Sequence, residues 1–220
     1  MRGLYILVEG QTEEEFINQC LCPYLHKWGI YDVRPMRIST SSIQKGGDLK
    51  FERYKNNVEK LLKTENDIIV SSLIDFFRLQ TDFPKYSEAK AITDKQRRVN
   101  FLEKAIAEQI NHFRFIPYIQ LHEFEGLLFS DFKGYDLMNI SQQNQRKLED
   151  IIAHYTNPEL LNDGELTAPS KRLENLINGY RKKLHGIIIA EGIGIETILA
   201  KCPRFANWVE ELIKRFKGNK

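Results

Sequence analysis

Short apolar runs separated by stretches of helical period constrain this chain more than any other feature. Residues 4–8 (LYILV), 31–40 (YDVRPMRIST), 67–77 (DIIVSSLIDFF) and 114–129 (RFIPYIQLHEFEGLLF) read as strands with their exits. Between them, Thr12 to about Trp28, residues 46–65 and Asp94 to Asn111 carry amphipathic helical periodicity. Thr12 with Glu15 fits a capping box that starts the first helix just after Gly10. Pro35 in the second run predicts an edge strand, because proline has no N–H to donate to a ladder. Residues 78–96 read as a polar connection. Strands alternating with helices predict an α/β fold with a mostly parallel sheet flanked by helices.

After Asp131 the pattern turns helical, at Gln142–Tyr155, Ser170–Leu184, Gly194–Lys201 and Arg204–Phe216. The expected organisation is an α/β domain over residues 1–135 with a C-terminal helical extension, residues 136–220, packed on it. A chain of 220 residues suits that arrangement. Its net charge of +2 announces no polycationic field. The basic runs DKQRRVN and KRFKGNK read as solvated faces, and Phe76, Phe77, Phe113, Phe115 and Trp208 as core. The three cysteines, Cys20, Cys22 and Cys202, form neither a disulfide framework nor a zinc motif and read as structural thiols. No stretch approaches the ~20 apolar residues of a membrane span, so a reducing cytoplasm is the expected compartment.

In a parallel sheet the C-terminal strand ends share one edge, and ligands bind in the crevice beyond it. The first run here ends at Glu9, the third at Asp75, and the fourth at HEFEG, with Glu123 and Glu125. Charge gathered on one edge is costly unless neutralised. A hard divalent cation, Mg²⁺ or Mn²⁺, is the expected neutraliser, with Glu9, Asp75, Glu123 and Glu125 as candidate ligands. Acids after strands also cap the next helix, which is the plainer role for any one of them. In an extended segment Glu123 and Glu125 share a face; if a helix has begun there, they diverge. Arg78 and His122 are candidate phosphate contacts beside these acids. Ser170, Lys171 and Arg172 follow Pro169 at an expected helix start, which reads either as a phosphate-binding corner or as an N-cap with exposed bases.

The segments ILVEGQTEEEF, SSLIDFFRLQTDFP, YIQLHEFEGLLFSD, APSKRL and IGIETILAKCPRFANWVEEL resemble, in this order, the DUF4276 family. That family looks related to the Toprim domains of topoisomerases, primases, small ribonucleases and overcoming-lysogenisation-defect (OLD) nucleases. The resemblance implies a Toprim-like fold and Mg²⁺-dependent phosphodiester hydrolysis of DNA or RNA. It implies catalytic roles for Glu9, as base, acid or metal ligand, and for Asp75, as metal ligand. It also implies a part in bacterial defence beside an ATPase partner. Toprim domains carry an Asp-x-Asp pair after the third strand, and here the second position is Phe77. Asp82, Glu123 or Glu125 would supply the missing carboxylate. The alternatives are a noncatalytic binding subunit and a hydrolase of nucleotides or other phosphoesters.

Overall fold

The computed structural model describes residues 2–38, 49–64, 67–162, 164 and 167–218; the Arg78 side chain, Gly46-Gly47 and the expected end of the second strand at 39–40 lie outside them. Strand β1 (Gly3–Val8) is flanked in parallel by β2 (Val33–Arg37) and β3 (Ile68–Asp75). Two short strands, β4 (Phe115–Ile116) and β5 (Ile119–Gln120), pair in parallel with β3. The order is β2-β1-β3-β4, with β5 on β3, and β2 with Pro35 is an outer strand, as its proline predicts.

The strands are short and apolar because both faces are covered. Leu4, Ile6, Val8, Ile69 and Leu73 enter one core; Tyr5, Leu7, Ile68, Val70 and Ile74 enter the other. On the first face lie α1 (Gln11–Phe16), α2 (Cys22–His26) and the C-terminal helices; on the second, α3 (Phe51–Thr64) and α5 (Lys95–Ile110). Residues from both sides of position 135, such as Leu4, Phe124, Leu148, Ile189 and Phe205, share the first core. Two serines interrupt the apolar run of β3, and both are satisfied. Ser71 Oγ donates to the Ile116 carbonyl at 2.6 Å and accepts from Trp208 Nε1 at 2.9 Å, while Ser72 Oγ lies 2.8 Å from the Tyr54 hydroxyl.

Several local expectations give way to tertiary effects. The first helix is broken by a π-turn, Ile17–Leu21, just ahead of Pro23, which has no N–H for the carbonyl of Gln19. The Thr12–Glu15 capping box does not form: Gly10 is the N-cap without a side-chain bond, Thr12 is buried, and Glu15 accepts from Gln19 Nε2. The polar connection contains α4 (Tyr86–Ala91). The fourth strand is cut at Pro117 and is replaced from Phe124 to Ser130 by 3-10 turns, followed by a second 3-10 segment, Phe132–Tyr135. After α6 (Gln142–His154), the expected helix Ser170–Leu184 is two helices, α7 (Pro169–Leu176) and α8 (Lys182–Ile193), parted where Gly179 adopts φ 71°. Helices α9 (Ile195–Lys201) and α10 (Pro203–Lys217) close the chain. Phe76, Phe115 and Trp208 are buried as expected, but Phe77 and Phe113 are not: they are 50% and 68% exposed. Phe77 points outward because the 3-10 turn Phe76–Arg78 ends the strand alternation that would have turned it inward. Among the described residues no helix is long and apolar enough to cross a membrane.

Candidate functional site

From β1 the chain crosses to β2 on one side and then to β3 on the other, so the β1–β3 boundary is the topological switch point where open parallel sheets take up ligands. Glu9 follows β1 and Asp75 ends β3. They are joined directly, the Asp75 N–H donating to Glu9 Oε1 at 2.8 Å. Asp75 is buried, and its Oδ1 accepts from the Phe124 N–H at 3.1 Å. The turn after β5 is thereby pinned to the end of β3.

Glu123 and Glu125 diverge because the 3-10 turn begins at Phe124. Glu123 faces α7: Ser170 donates its N–H to Glu123 Oε2 at 3.0 Å and its hydroxyl to Oε1 at 3.1 Å. The amide end of α7 expected to hold a phosphate therefore holds the chain's own carboxylate. Lys171 pairs with Glu174 at 2.7 Å, and Arg172 Nε donates to the Thr167 carbonyl at 2.8 Å. Glu125 turns the other way and is fully buried. Asp82 accepts from the Phe51 N–H at 3.0 Å and caps α3. His122 is buried and stacks on Phe77, ring centroids 5.7 Å apart.

Two residues join the cluster that the sequence reading did not assign to it. Glu13, on the first turn of α1, is buried and folds back toward Gly10, where a Cβ would lie 2.8 Å from Glu13 Oε2. Lys182, the first residue of α8, sets its ammonium 3.3 Å from Glu13 Oε1 and 3.1 Å from Glu125 Oε1. Glu13 stands one helical turn beyond Glu9, and that spacing was readable. Lys182 belongs to no motif and is brought in by the packing of α8 against α1.

The electrostatics follow from burial. Burial, reinforced by Glu13, Glu9 and Glu125 and opposed by Lys182, holds the Asp75 carboxyl well above the ordinary range. Glu125 is raised by burial and by Glu123, against the pull of Lys182. Burial alone would lower Lys182, but Glu125, Glu13 and Asp75 outweigh it and hold the ammonium above the usual lysine value. The Cys20 thiol, pushed up to about 12 by burial and by Glu191, and Cys22, pushed up to about 11 by burial, are inert core groups.

Oxygen donors alone make up the acidic cluster, the class that Mg²⁺ and Mn²⁺ favour. Among the described residues no three His, Cys, Asp or Glu side chains form a ready chelate. Mg²⁺ needs only one or two carboxylates, with water and substrate oxygens for the rest, and Glu9 and Asp75 at adjoining strand ends meet that need. Glu125 adds a buried carboxylate whose Oε2 receives no hydrogen bond of good geometry among the described residues. The donor chemistry is of the kind such an ion takes, and the cation that the structure places among these carboxylates is the Lys182 ammonium.

A parallel α/β domain with an acidic cluster at its switch point is the class that fold and site define. The chain belongs to the DUF4276 family, a domain of unknown function, which matches residues 8–213. No curated protein sequence matches it. Among solved structures it is similar to the C-terminal region of the Burkholderia pseudomallei OLD protein, at 14% identity and a TM-score of 0.49, covering 96% of this chain and 98% of that one. It is also similar to the C-terminal region of the Xanthomonas campestris pv. campestris OLD protein, at 12% identity and a TM-score of 0.47, covering 99% of this chain and 95% of that one.

Proposed function

We propose that this chain is a Toprim-like, Mg²⁺- or Mn²⁺-dependent nuclease that hydrolyses phosphodiester bonds of DNA or RNA. The observation that carries the reading is the gathering of acids at the β1–β3 switch point: Glu9 accepts from the Asp75 N–H, and Glu13 and Glu125 meet on the Lys182 ammonium, which also acts on Asp75. Glu9 and Asp75 are the residues to hold the ion, which when bound supplies charge neutralisation and water activation at the phosphate. Lys182, a third exposed, can turn donors from its carboxylates to a phosphate oxygen as negative charge grows there. Glu9 is the base that takes the proton from the attacking water. Asp75 holds the Phe124 turn in register through its Oδ1, which keeps Glu125 facing Lys182. An ATPase partner and a role in bacterial defence belong to the same proposal and rest on the family resemblance.

The test is cleavage of single- and double-stranded DNA and RNA by the purified chain, alone and with an ATPase encoded beside it, in Mg²⁺ or Mn²⁺. Glu9→Gln keeps size and polarity and lowers cleavage by ~100-fold or more, the usual loss for a positioned base. Equal cleavage by wild type and Glu9→Gln overturns the mechanism. The half-exposed Phe77 at the second Asp-x-Asp position favours a second reading, a noncatalytic binding subunit. Nucleic-acid binding without cleavage in the partner's presence selects it.

A further inference from the structure

Beside the acidic cluster lies a cavity of ≈ 170 Å³ lined by Phe76, Phe77, Leu121, His122, Lys95, Arg98 and neighbours. One wall begins at the candidate site, since Phe76 and Phe77 directly follow Asp75 at the end of β3. We infer that this cavity is a base subsite that takes one unpaired pyrimidine of a single-stranded nucleic acid whose phosphate lies on the acidic cluster. The inference rests on the nuclease reading and deepens it by naming the strand form and the base class.

Size, shape and polarity each point there. An apolar cavity of ~150 Å³ takes up a single benzene ring, so this volume suits one six-membered heterocycle better than the fused two-ring system of a purine. Phe77 offers the platform. Its ring stacks on His122 at 27°, which holds it in place, and half of its surface stays open. Base–aromatic stacking needs such an exposed π-face. Phe76 backs the wall, fixed between Tyr86, stacked at 6.4 Å, and the Arg98 guanidinium 5.7 Å from its ring. The polar lining donates. Lys95 Nζ donates to the Asn162 carbonyl, and Arg98 uses Nε and one terminal nitrogen on the Ile92 carbonyl at 3.0 and 2.8 Å. Asn162 Oδ1 accepts from the Gly164 N–H at 2.8 Å, which fixes its amide with the oxygen engaged. Lys95 and Arg98 line the cavity and carry more N–H groups than these bonds use, and such donors beside an aromatic slot match a ring rich in carbonyl acceptors, as pyrimidines are, with a phosphate beside it. A base within a duplex cannot reach such a slot without leaving its stack, which selects single strands.

Fluorescence anisotropy with short oligo-pyrimidine and oligo-adenine single strands, in Ca²⁺ in place of Mg²⁺ so that the carboxylates keep a hard cation while turnover is suppressed, tests this. Wild type binds the pyrimidine strand more tightly than the adenine strand. Phe77→Ala, at a half-exposed position that leaves the core intact, weakens pyrimidine binding by ~10-fold or more and erases the preference, whereas Phe77→Trp keeps both. If Phe77→Ala binds both strands as wild type does, the subsite is overturned and the nuclease reading stands. Preference for adenine overturns the pyrimidine assignment. If wild type binds neither strand, the nucleic-acid reading falls and the subsite with it.

Discussion

Lys182 stands between Glu13 and Glu125 and balances carboxylates that would otherwise repel one another in a poorly solvated place. Removing one member of such a group leaves charge buried without a counter-charge, which is more damaging than never having built the pair. Lys182→Ala is therefore expected to destabilise the fold by about 3 kcal/mol, at the low end of the buried range because the ammonium is a third exposed. Urea unfolding measures this, and the deficit is expected to shrink when Mg²⁺ is added, since an ion bound only by the folded chain stabilises it by mass action. A deficit that ignores Mg²⁺ at every concentration speaks against these carboxylates as a cation site. Glu123 and Glu125, two residues apart, carry opposite assignments. Glu123 is held on α7 by Ser170 and anchors a helix; Glu125 faces Lys182 and belongs to the cluster.

At the scale of elements, the position of Lys182 depends on how closely α8 approaches the 3-10 segment Phe132–Tyr135. A Cβ on Gly134 would stand 2.5 Å from Ile193 Cγ1 and 2.6 Å from the Ile189 carbonyl, so backbone meets backbone there. Gly134→Ala must push α8 outward, and overpacking of this kind costs about 1–3 kcal/mol. The midpoint of thermal unfolding is expected to fall accordingly. Because α8 carries Lys182, nucleic-acid binding is expected to weaken as well, which anisotropy at a temperature where the variant is folded will read. The same scale explains the lost fourth strand. Pro117 gives no N–H to the ladder, so only two-residue pieces pair with β3, and the chain is released early into the turn that brings Glu125 inward.

For the whole molecule, the acidic cluster is a stability liability. The folded chain holds the carboxyls of Asp75 and Glu125 above their ordinary range. It therefore binds protons there that the unfolded chain has released, and stability falls as pH rises from the ordinary carboxylate range through the raised folded values. The contribution is fully present below the unfolded pKa. Asp75→Asn retains the acceptor for the Phe124 N–H and removes the charge. Its melting temperature is expected to exceed that of wild type near pH 8 and to converge with it toward pH 4. A variant less stable than wild type at pH 8 would show that Lys182 more than offsets the Asp75 charge. Functional sites that trade stability for reactivity behave in the expected way.

Much of this molecule was legible in its sequence because the relevant physics is local. Apolar runs bounded by Gly, Pro and polar residues become strands, and alternation with helical periods makes the sheet parallel. Once the strands are parallel and their order is known, Glu9 and Asp75 at two strand ends must lie on one edge, and they do, 2.8 Å apart through a backbone N–H. Family membership, too, was visible in motifs spread along the chain. What tertiary structure alone decided involves elements far apart in sequence. Lys182 arrives because α8 packs across α1 and the 3-10 segment; the stacking of Phe77 on His122 joins the ends of β3 and β5; and although the local 3-10 turn parts Glu123 from Glu125, which partner each meets follows from where α7 and α8 come to rest. Periodicity carries no record of those distances. They are set by which apolar faces must be buried against one another and by the carboxylates that burial leaves in need of a cation.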